Sequence, residues 1–574
     1  MNVVDRARRW IAQDPDTDTR LELEALIAAE DHKALEARFS GGLQFGTAGL
    51  RGLLGAGPTR MNRVTVSRAT AGLCAWLKKQ VPDAASRGIC VGRDARDKSD
   101  VFERDVIEVA TGAGVRVHVF EGVVPTPLLA FSVLEAGAAG GVMITASHNP
   151  PGYNGYKVYW DNGAQIIPPN DVGIAAEIDA AAPANQIARM SVKEARRDGM
   201  LQEIDFVRDD YVARIVSELN LGRLRAPIRV AYTALHGVAE HTFRNAATRA
   251  VFEDVTSDEA QSTPDGSFPT VAFPNPEEPG AMDLVLSLAE RIDADIAVAN
   301  DPDGDRVGIA ARREGRFEVL SGNDIGALLT DELLRRRHDA PRPVALSTIV
   351  SSPILGAICA KHGARWEQTL TGHKWIQNRA LELEAEGWTA VFGYEEALGY
   401  APCRAVRDKD GISAALLVID MAAELKARGK TLLDARDALW QEHGFYADRQ
   451  VSVRFEGLEA LTRMNAVVDG LRATPPREIG GQRVTRMLDF ERQLQWSPGG
   501  QAPFEEHPPS NVLVFELEGG HRAMVRPSGT EPKLKYYFYA TARRGKEADL
   551  GTAREEALAV LERMAKDLSR PNGC

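Results

Sequence analysis

Short apolar runs that end in polar loops recur along this chain. Runs of this kind are typical of buried strands, and the loops that follow them are rich in Gly, Asp, Ser or His. Helical stretches such as AALLVIDMAAELKARG separate the runs. This alternation predicts an α/β architecture, in which ligands bind outside the carboxyl ends of the strands. The clearest segments are GICVGRDARDKS, GVMITASHNP, RVAYTALHGV, ADIAVANDPDGDR, PVALSTIVSS, TAVFGYEEALGY and HRAMVRPSGTEP.

Breaks in this pattern indicate how the chain divides into domains. An apolar stripe between Leu21 and Phe39 predicts a helical extension over residues 1–40. The Ala-rich, polar residues 179–200 are expected to join two domains, and five prolines make residues 263–280 irregular.

Two later stretches also interrupt the pattern. Residues 473–482 are expected near a late domain boundary, and residues 496–511 are expected to form a surface loop inside the last domain. We therefore predict four domains after the extension, with boundaries near residues 205, 321 and 445. The predicted domains are residues 41–204, 205–320, 321–445 and 446–574.

Composition narrows the class of protein. Of 574 residues, 44% are hydrophobic and 26% are charged, as in ordinary globular proteins. The net charge of -12 argues against a nucleic-acid or anionic-membrane partner, although a few local Arg and Lys side chains suffice to hold one phosphate. Five scattered cysteines argue against a disulfide framework, and no apolar run has the length of a signal peptide or membrane span. We expect a cytoplasmic protein.

The segment TASHNP, residues 145–150, places Ser147 after an apolar run. Ser and Asn favour turns and Pro ends strands, so a plain turn explains the segment as well as a reactive serine does. The adjacent His148 does not make a hydrolase dyad with Ser147, and the GxSxG elbow is absent here. By itself the segment leaves both interpretations open.

Three carboxylates alternate in NDPDGDR, at Asp301, Asp303 and Asp305. Such carboxylates would repel each other on convergence, and a hard divalent cation such as Mg²⁺ relieves the repulsion. The spacing does not fit an EF-hand, because Gly304 comes at the fourth position and Arg312 replaces the bidentate Glu. A solvated acidic turn remains the alternative to a metal site.

Two further segments carry polar side chains suited to a phosphosugar. The loop RPSGTEPK, residues 526–533, offers a guanidinium, hydroxyls and free backbone N–H groups, which a phosphate dianion needs; a plain turn is the alternative. Glu395 and Glu396 follow a strand and could accept hydrogen bonds from sugar hydroxyls. A helix N-terminus, where Glu complements the dipole, explains them equally well.

Less specific candidates remain in two loops. TGHKW offers a titratable His373 and the cation of Lys374, and GTAGLRG is a Gly-rich loop with one arginine, Arg51. The familiar nucleotide signatures fail, because GKT lacks the first P-loop glycine and GAG lacks the third glycine of a dinucleotide fingerprint.

TASHNP, DPDGDR, GYEEALGY and RPSGTEP, in this order, resemble the α-D-phosphohexomutase superfamily, which includes phosphoglucomutases and phosphomannomutases. The resemblance runs from GTAGLRG near residue 46 to KLKYYFYATA near residue 540. GYEEALGY and the chain length are similar to the branch of phosphoglucomutase and phosphopentomutase type. The resemblance implies three similar α/β domains with mixed sheets and a smaller C-terminal α+β domain around a central cleft.

The resemblance also assigns roles to residues. Ser147 matches the phosphoserine, and with Asp301, Asp303 and Asp305 it matches the Mg²⁺ site. The other residues matched to catalysis are Lys157, His373, Arg306 and Arg51, with Lys157 and His373 implicated in proton transfer. Those expected to bind substrate are Glu395, Glu396, Lys374, His148, Arg526, Ser528, Gly529, Thr530 and Lys533.

These matches imply an isomerase, an intramolecular phosphotransferase that converts glucose 1-phosphate to glucose 6-phosphate through phosphoserine and a bisphosphate intermediate. Glucose 1,6-bisphosphate is expected as activator, and the protein is expected to be a monomer or homodimer. Many relatives have Ser two positions after the sugar-binding Glu, but this chain has Ala397. A phosphopentomutase acting on ribose or deoxyribose 1-phosphate is therefore an alternative, as are a phosphomannomutase, a sugar bisphosphate synthase, a serine-based phosphatase and a non-catalytic binding scaffold.

Overall fold

The computed structural model describes residues 2–43, 49–221, 225–456, 459–528, 533–542 and 550–569. Two compact units divide the chain. The first combines Met1–Ile325 with Gly372–Leu432, and the second combines Gly326–Thr371 with Leu433–Cys574. Within the described ranges, no helix is long and apolar enough to cross a membrane.

The first unit begins with three capped helices, α1 (Val3–Ile11), α2 (Thr17–Ala28) and α3 (His32–Phe39). Trp10 and Phe39 pack edge to face with ring centroids 6.0 Å apart. Ala56 and Val64 belong to the same buried cluster, so this helical segment packs against the chain that follows it.

A six-stranded mixed sheet follows in the first unit. Its strand order is β1-β5-β4-β2-β3-β6, with β2 parallel to β3 and β4, and β5 antiparallel to β4 and β1. Every residue of β4 is buried, which is why GVMI reads as an unbroken apolar run. The elements are β1 (Leu50–Leu53), α4 (Arg63–Gln80), α5 (Ala84–Arg87), β2 (Ile89–Arg93), α6 (Ser99–Gly112), β3 (Val117–Val119), α7 (Thr126–Glu135), β4 (Gly140–Ile144), β5 (Tyr153–Trp160), α8 (Asn170–Ala180), α9 (Val192–Arg197) and β6 (Leu201–Glu203).

Residues 179–200 are more than the joining segment that the sequence suggested. They contain α9, which begins with a capping box between Ser191 and Glu194 and buries Ala195 in the core of this sheet. The chain then adds β6 to the sheet, parallel to β3. The polar composition concealed a short helix that buries only one of its residues.

A second sheet of the first unit has the order β11-β10-β9-β7-β8. Strands β9 and β10 are antiparallel, and the pairing of Asn300 with Val307 closes the loop that carries the three aspartates. Residues 263–280 contain no helix or strand, as their prolines predicted. The elements are α10 (Val207–Leu219), β7 (Val230–Thr233), α11 (Glu240–Arg249), β8 (Val255–Ser257), α12 (Asp283–Arg291), β9 (Ile296–Asn300), β10 (Val307–Arg313) and β11 (Arg316–Val319).

The next segment contributes to both units. In the second unit β12 and β13 are parallel, and in the first unit β14 and β15 are antiparallel. Helix α16 is buried from Gly411 to Ala423, which matches the apolar sequence AALLVIDMAA. The elements are α13 (Gly322–Arg336), β12 (Pro343–Thr348), α14 (Ile354–Lys361), β13 (Arg365–Thr369), α15 (His373–Ala385), β14 (Thr389–Glu395), β15 (Gly399–Ala401), α16 (Gly411–Lys426) and α17 (Leu432–His443).

The C-terminal part of the second unit is an antiparallel sheet in the order β16-β23-β22-β21-β18-β19-β20, with β17 paired to β18. Two helices, α18 and α19, share its buried core. The elements are β16 (Phe445–Arg454), α18 (Ala460–Ala473), β17 (Glu478–Ile479), β18 (Gln482–Asp489), β19 (Leu494–Ser497), β20 (Gly500–Pro503), β21 (Leu513–Leu517), β22 (Arg522–Pro527), β23 (Lys533–Ala542) and α19 (Leu550–Leu568).

The predicted fold class is confirmed: mixed α/β sheets are followed by a smaller β-rich domain with two helices. One local expectation differs from the structure. Residues 496–511, expected to form a surface loop, begin within the hairpin of β19 and β20, which has no buried residue to give an apolar pattern. Residues 473–482, expected near a domain boundary, include β17. The boundaries near residues 205, 321 and 445 stay a prediction.

Candidate active site

Ser147 lies in the loop between β4 and β5, which we call the serine loop (residues 145–152). Its side chain is buried, and its backbone has a positive φ of 53°, which non-glycine residues rarely adopt. The backbone N–H of Ser147 donates to Thr145 Oγ1 at 2.8 Å. Its hydroxyl donates to Asp301 Oδ2 at 3.1 Å and lies 3.2 Å from His148 Nδ1. The surroundings therefore hold an uncommon conformation that points the hydroxyl at a carboxylate.

A buried guanidinium anchors the serine loop. Arg96 donates to the carbonyl of Ser147 at 2.6 Å, to that of Pro150 at 3.0 Å and also to that of Asn149. Asp94 lies 3.3 Å from Arg96 and balances its charge. The sequence pattern predicts only a strand and a loop for GRDARDKS, and the Asp and Arg of that segment were the available signal.

Three carboxylates converge in the aspartate loop (residues 301–306). One oxygen of each of Asp301, Asp303 and Asp305 lies within 4.8 Å of the others, and all three residues are buried. Between them Gly304 has a φ of 71° and lies so close to its surroundings that an added Cβ would come within 3.1 Å of Pro125 Cβ. The tight loop requires glycine there and brings the carboxylates together.

Asp303 and Asp305 each have one carboxylate oxygen that accepts hydrogen bonds and one that accepts none in the described ranges. Asp303 Oδ2 accepts from Lys157 Nζ at 2.8 Å, while Asp305 Oδ2 accepts from Lys157 at 2.9 Å and lies 3.2 Å from Lys409 Nζ. The Oδ1 atoms of Asp303 and Asp305 are buried and have no hydrogen-bond partner in the described ranges. Buried oxygens without partners are costly, so these atoms fit the ligand set of a hard divalent cation.

The carboxylates differ in their electrostatic environment. Burial and the charges of Asp303 and Asp305 raise the pKa of Asp301 well above its ordinary value. Burial also opposes ionisation of Asp305, but attraction from Lys157, Lys409 and Arg306 outweighs it and holds that pKa below the usual range. A cation beside Asp301 would relieve the repulsion.

Lys409 and Asp408 join this cluster, and sequence reasoning missed both. Lys409 Nζ lies 3.3 Å from Asp408, and Tyr159 and Gln165 each donate to Asp408 Oδ2 at 2.6 Å. Burial lowers the pKa of Lys409, but Asp305 and Asp408 reverse this and raise it. The alternating charges of RDKDG before α16 were the available signal.

His373, Glu395 and Lys374 occupy the start of α15 and the end of β14. His373 Nδ1 lies 3.7 Å from Glu395 Oε2, and Glu395 Oε1 accepts from the backbone N–H of Gly372 at 2.9 Å. Burial and the charge of Lys409 lower the pKa of His373 to about 4, so its imidazole is neutral at pH 7. Lys374 lies 3.9 Å from Asp171, and burial lowers its pKa.

The glutamate loop (residues 395–399) is held to the aspartate loop and the start of β10 by hydrogen bonds to two of its backbone carbonyls. Arg306 Nη1 donates to the carbonyl of Ala397 at 2.9 Å, and the N–H of Val307 donates to the carbonyl of Leu398 at 3.2 Å. An added Cβ at Gly322 would lie 1.7 Å from the carbonyl oxygen of Glu396, so the start of α13 also presses on this loop. The predicted sugar-binding and metal-binding segments are therefore joined through Arg306.

Arg51 and His148 lie on the serine-loop side of the cluster. Arg51 donates to Asn149 Oδ1 at 2.8 Å. Burial and the charge of Arg306 lower the pKa of Arg51 to about 10 and that of His148 well below its ordinary value. His148 is therefore neutral, while Arg51 keeps its positive charge at pH 7.

The described residues among those predicted to bind phosphate lie in the second unit, where β22 ends and β23 begins. Ser528 donates its backbone N–H to the carbonyl of Lys533 at 2.8 Å, and Arg526 stands on β22 two residues before it. The antiparallel pairing of β22 with β23 thus brings Arg526 and Lys533 to the same end of these two strands. Gly529 and Thr530 lie outside the described residues.

Comparison with known protein families identifies the family to which this chain belongs. Models described as phosphoglucomutase/phosphomannomutase α/β/α domains I, II and III match residues 42–185, 209–315 and 321–443. The chain belongs to the phosphoglucomutase/phosphomannomutase family. It is therefore a phosphosugar mutase of the α-D-phosphohexomutase superfamily, an isomerase that moves a phosphoryl group.

Several relatives match over most of their length. The chain is 36% identical to the "Probable phosphoribomutase" of Schizosaccharomyces pombe and 35% identical to the human phosphopentomutase, covering 92% of itself in both and 92% and 90% of the relatives. It is 39% identical to the "Probable phosphomannomutase" of Haemophilus influenzae over 85% of this chain and 95% of the relative. The solved open form of a Paramecium phosphoglucomutase, pp63/parafusin, shares the fold with a TM-score of 0.65 at 18% identity, covering 92% of this chain and 96% of that one.

Proposed function

We propose that this protein is a phosphopentomutase that interconverts ribose or deoxyribose 1-phosphate and the corresponding 5-phosphate. The observation that carries phosphoryl transfer is the 3.1 Å contact between the buried Ser147 hydroxyl and Asp301, at the edge of the aspartate triplet. Two of the relatives that match over most of the chain, from fission yeast and human, are named as a phosphoribomutase and a phosphopentomutase. These relatives favour a pentose over the glucose phosphate that the sequence first suggested.

The glutamate loop supports the same choice of sugar. Ala397 lacks the hydroxyl that a serine would offer to a hexose, and its carbonyl is already engaged by Arg306. Glu395 accepts one backbone hydrogen bond through Oε1, and its other oxygen lies on the His373 side. We assign Glu395, with Glu396 beside it, to the sugar hydroxyls.

The transfer itself is assigned to Ser147. In the active form Ser147 carries the phosphoryl group; the P–Oγ bond breaks as a P–O bond to a hydroxyl of the bound sugar monophosphate forms. Asp301, Asp303 and Asp305 would hold Mg²⁺, which supplies positive charge against the transferring phosphoryl oxygens when bound. Arg51, held by Asn149, keeps its charge on the same side and is assigned to the phosphoryl oxygens.

The proton of the sugar hydroxyl needs an acceptor. Lys157 bonds both Asp303 and Asp305, and these charges raise its pKa against the effect of burial, so it keeps its proton. His373 is neutral; its Nε2 lies 3.0 Å from Gln377 Nε2, and its Nδ1 has no hydrogen-bond partner in the described part of the chain. We assign the acceptor role to His373 and electrostatic stabilisation to Lys157.

The second half of the cycle uses the same groups in reverse. The sugar bisphosphate turns over and returns its other phosphoryl group to Ser147, and a sugar bisphosphate from solution primes the serine. We assign the non-transferring phosphate to Arg526, Ser528, Gly529, Thr530 and Lys533, with Lys374 and His148 near the substrate. A cytoplasmic location, a monomeric or homodimeric state and the absence of nucleic-acid and membrane partners remain proposals that rest on the sequence.

The experiment measures by phosphorus NMR how the protein converts ribose, deoxyribose and glucose 1-phosphates, each in a separate reaction with Mg²⁺ and a trace of sugar bisphosphate. We expect pentose 5-phosphate to form with a kcat/KM at least about ten-fold above that for glucose, because a site built for one sugar discriminates by about 1.4 kcal/mol or more. Ser147→Ala should abolish turnover. Ser132→Ala, which removes a buried hydroxyl bonded to Leu129, should leave it unchanged.

Each contrary result points to a different alternative. A preference for glucose 1-phosphate would restore the phosphoglucomutase assignment, and mannose 1-phosphate can be compared in the same way. Release of free phosphate would indicate a phosphatase, and accumulation of bisphosphate a synthase. Full activity of Ser147→Ala would overturn the phosphoserine mechanism, and binding without turnover would indicate a scaffold.

A further inference from the structure

Helix α7 begins directly against the aspartate loop. The backbone N–H of Thr126, the first residue of α7, donates to the carbonyl of Asp303 at 2.8 Å, and its hydroxyl donates to Asp303 Oδ2 at 2.7 Å. Both residues are fully buried. Gly304 packs against Pro125, the residue before α7, so the N-terminus of α7 helps to fix the conformation of this loop.

The two oxygens of Asp303 are used unequally. Oδ2 accepts from Thr126 and from Lys157 Nζ at 2.8 Å, whereas Oδ1 is buried and has no hydrogen-bond partner in the described residues. Since the two oxygens of a carboxylate are equivalent, what matters is the plane in which the group is held. The donors to one oxygen set that plane, and hence the direction in which the other oxygen points.

Thr126 is better suited to this task than Lys157. A β-branched side chain is stiff at its first torsion, and the Thr126 backbone is itself bonded to Asp303. Lys157 has a long, flexible stem and divides its ammonium between two carboxylates. A hydroxyl also orients a carboxylate without cancelling its charge, which a divalent cation requires of its ligand.

We propose that Thr126 is a positioning residue that occupies Asp303 Oδ2 and thereby presents Asp303 Oδ1 as the oxygen available to a divalent cation. Partners outside the ligand set that fix a ligand's orientation commonly change metal affinity by about ten- to a hundred-fold. The inference deepens the proposed function, because it rests on the Mg²⁺ site assigned there. It concerns cation binding and can be measured without any sugar.

The experiment measures Mn²⁺ binding to the full-length protein by the electron paramagnetic resonance signal of free Mn²⁺, with Mg²⁺ competition giving the Mg²⁺ affinity. Thr126→Val is nearly isosteric and removes only the hydroxyl, and we expect it to weaken both affinities about ten-fold or more. Thr126→Ser keeps the donor and should stay within about two-fold of wild type. Thr111→Val removes another buried hydroxyl of the same domain, bonded to Ile107, and should bind as wild type does.

Wild-type affinity in a folded Thr126→Val protein overturns the proposal, and so does equal weakening by Thr126→Ser and Thr126→Val. If Thr126→Val does not fold, Thr126→Ala is judged by the same threshold, since it removes the hydroxyl without placing a methyl group against the carboxylate. A wild-type protein that binds no Mn²⁺ also overturns the proposal. A protein that binds Mn²⁺ as expected but converts no pentose phosphate refutes only the proposed function.

Discussion

The imidazole of His373 shows how its surroundings set the chemistry of one side chain. It is 3% exposed, with Lys409 near enough to disfavour a second positive charge and Glu395 at 3.7 Å. Burial dominates, and the pKa falls to about 4. At pH 7 the imidazole is therefore uncharged, and it can accept a proton only at the ring nitrogen that carries none.

This depressed pKa makes stability depend on pH. Between pH 6.5 and 4 the unfolded chain binds a proton at His373 that the folded protein does not, so stability is lost as the pH falls through that window. From pH 7 to pH 5 we expect His373 to account for a loss of about 2 kcal/mol in the free energy of unfolding. Urea unfolding of wild type and His373→Gln at both pH values measures it as the difference between their losses.

The control is His241→Gln, at an exposed position, which should lose as much stability as wild type on acidification. An equal loss in His373→Gln and wild type would show that the imidazole titrates near its ordinary pKa. The assignment of His373 as a neutral proton acceptor would then fail.

At the scale of elements, the serine loop depends on a residue from a different loop. Arg96 follows β2 and reaches three carbonyls of the chain between β4 and β5, with Asp94 as its counter-ion. Charged hydrogen bonds of this kind contribute about 1.5–3 kcal/mol each when made and leave costly unpaired groups when removed. The positive φ of Ser147 is thus maintained by neighbours outside its own loop.

We therefore expect Arg96→Gln to slow phosphorylation of Ser147 more than it weakens sugar binding. Loss of two charged hydrogen bonds should cost about 3–6 kcal/mol of stability and lower kcat at least about ten-fold, with KM changing less. Mass spectrometry of the intact protein after mixing with sugar bisphosphate measures the rate at which the phosphoserine forms. Arg96→Lys should recover little, since an ammonium cannot span the same carbonyls.

Arg63→Gln is the matched control. It breaks a two-bond ion pair with the buried Asp105, and neither residue belongs to the serine loop. It should cost stability without changing the rate of phosphoserine formation. Equal slowing in both variants would mean that Arg96 supports the fold in general and does not position Ser147.

For the whole molecule, prediction from sequence succeeded where burial is continuous. Apolar runs such as GVMI and IAVA became β4 and β9, because a strand buried on both faces must be apolar throughout. Weak patterns failed: β6, β17 and the hairpin of β19 and β20 are short or exposed, so side-chain burial leaves little periodicity to detect. Their places depend on strand pairing, which a linear pattern does not contain.

The site was predictable only in part, for a related reason. Ser147 and the aspartates stand in distinctive segments, and the resemblance to a family assigned them roles. Lys409 and Thr126 lie far from the aspartates in sequence and reach them only through the packing of separate elements. Neither residue type is unusual where it stands, so only the folded arrangement reveals the contact.

The crowded aspartates also bear on the stability of the whole protein. Asp301, Asp303 and Asp305 are buried within 4.8 Å of one another, and two of their oxygens lack hydrogen bonds in the described ranges. A cation bound there favours the folded state by about 2.7 kcal/mol at a hundred times its Kd, because the unfolded chain lacks the site. We expect Mg²⁺ to raise the unfolding temperature by about 3 °C over the same protein in EDTA, as measured by calorimetry.

The comparison must be made within each variant, because Asp303→Asn also removes a partner of Lys157 and changes stability without any metal. In Asp303→Asn the difference between Mg²⁺ and EDTA should vanish, while Asp295→Asn, outside the triplet, should keep it. A Mg²⁺-dependent rise that persists in Asp303→Asn would place the cation elsewhere. The three carboxylates, Ser147 and Lys157 all belong to the first unit. A cation bound elsewhere would leave Ser147 without the positive charge of Mg²⁺ on which the proposed transfer depends.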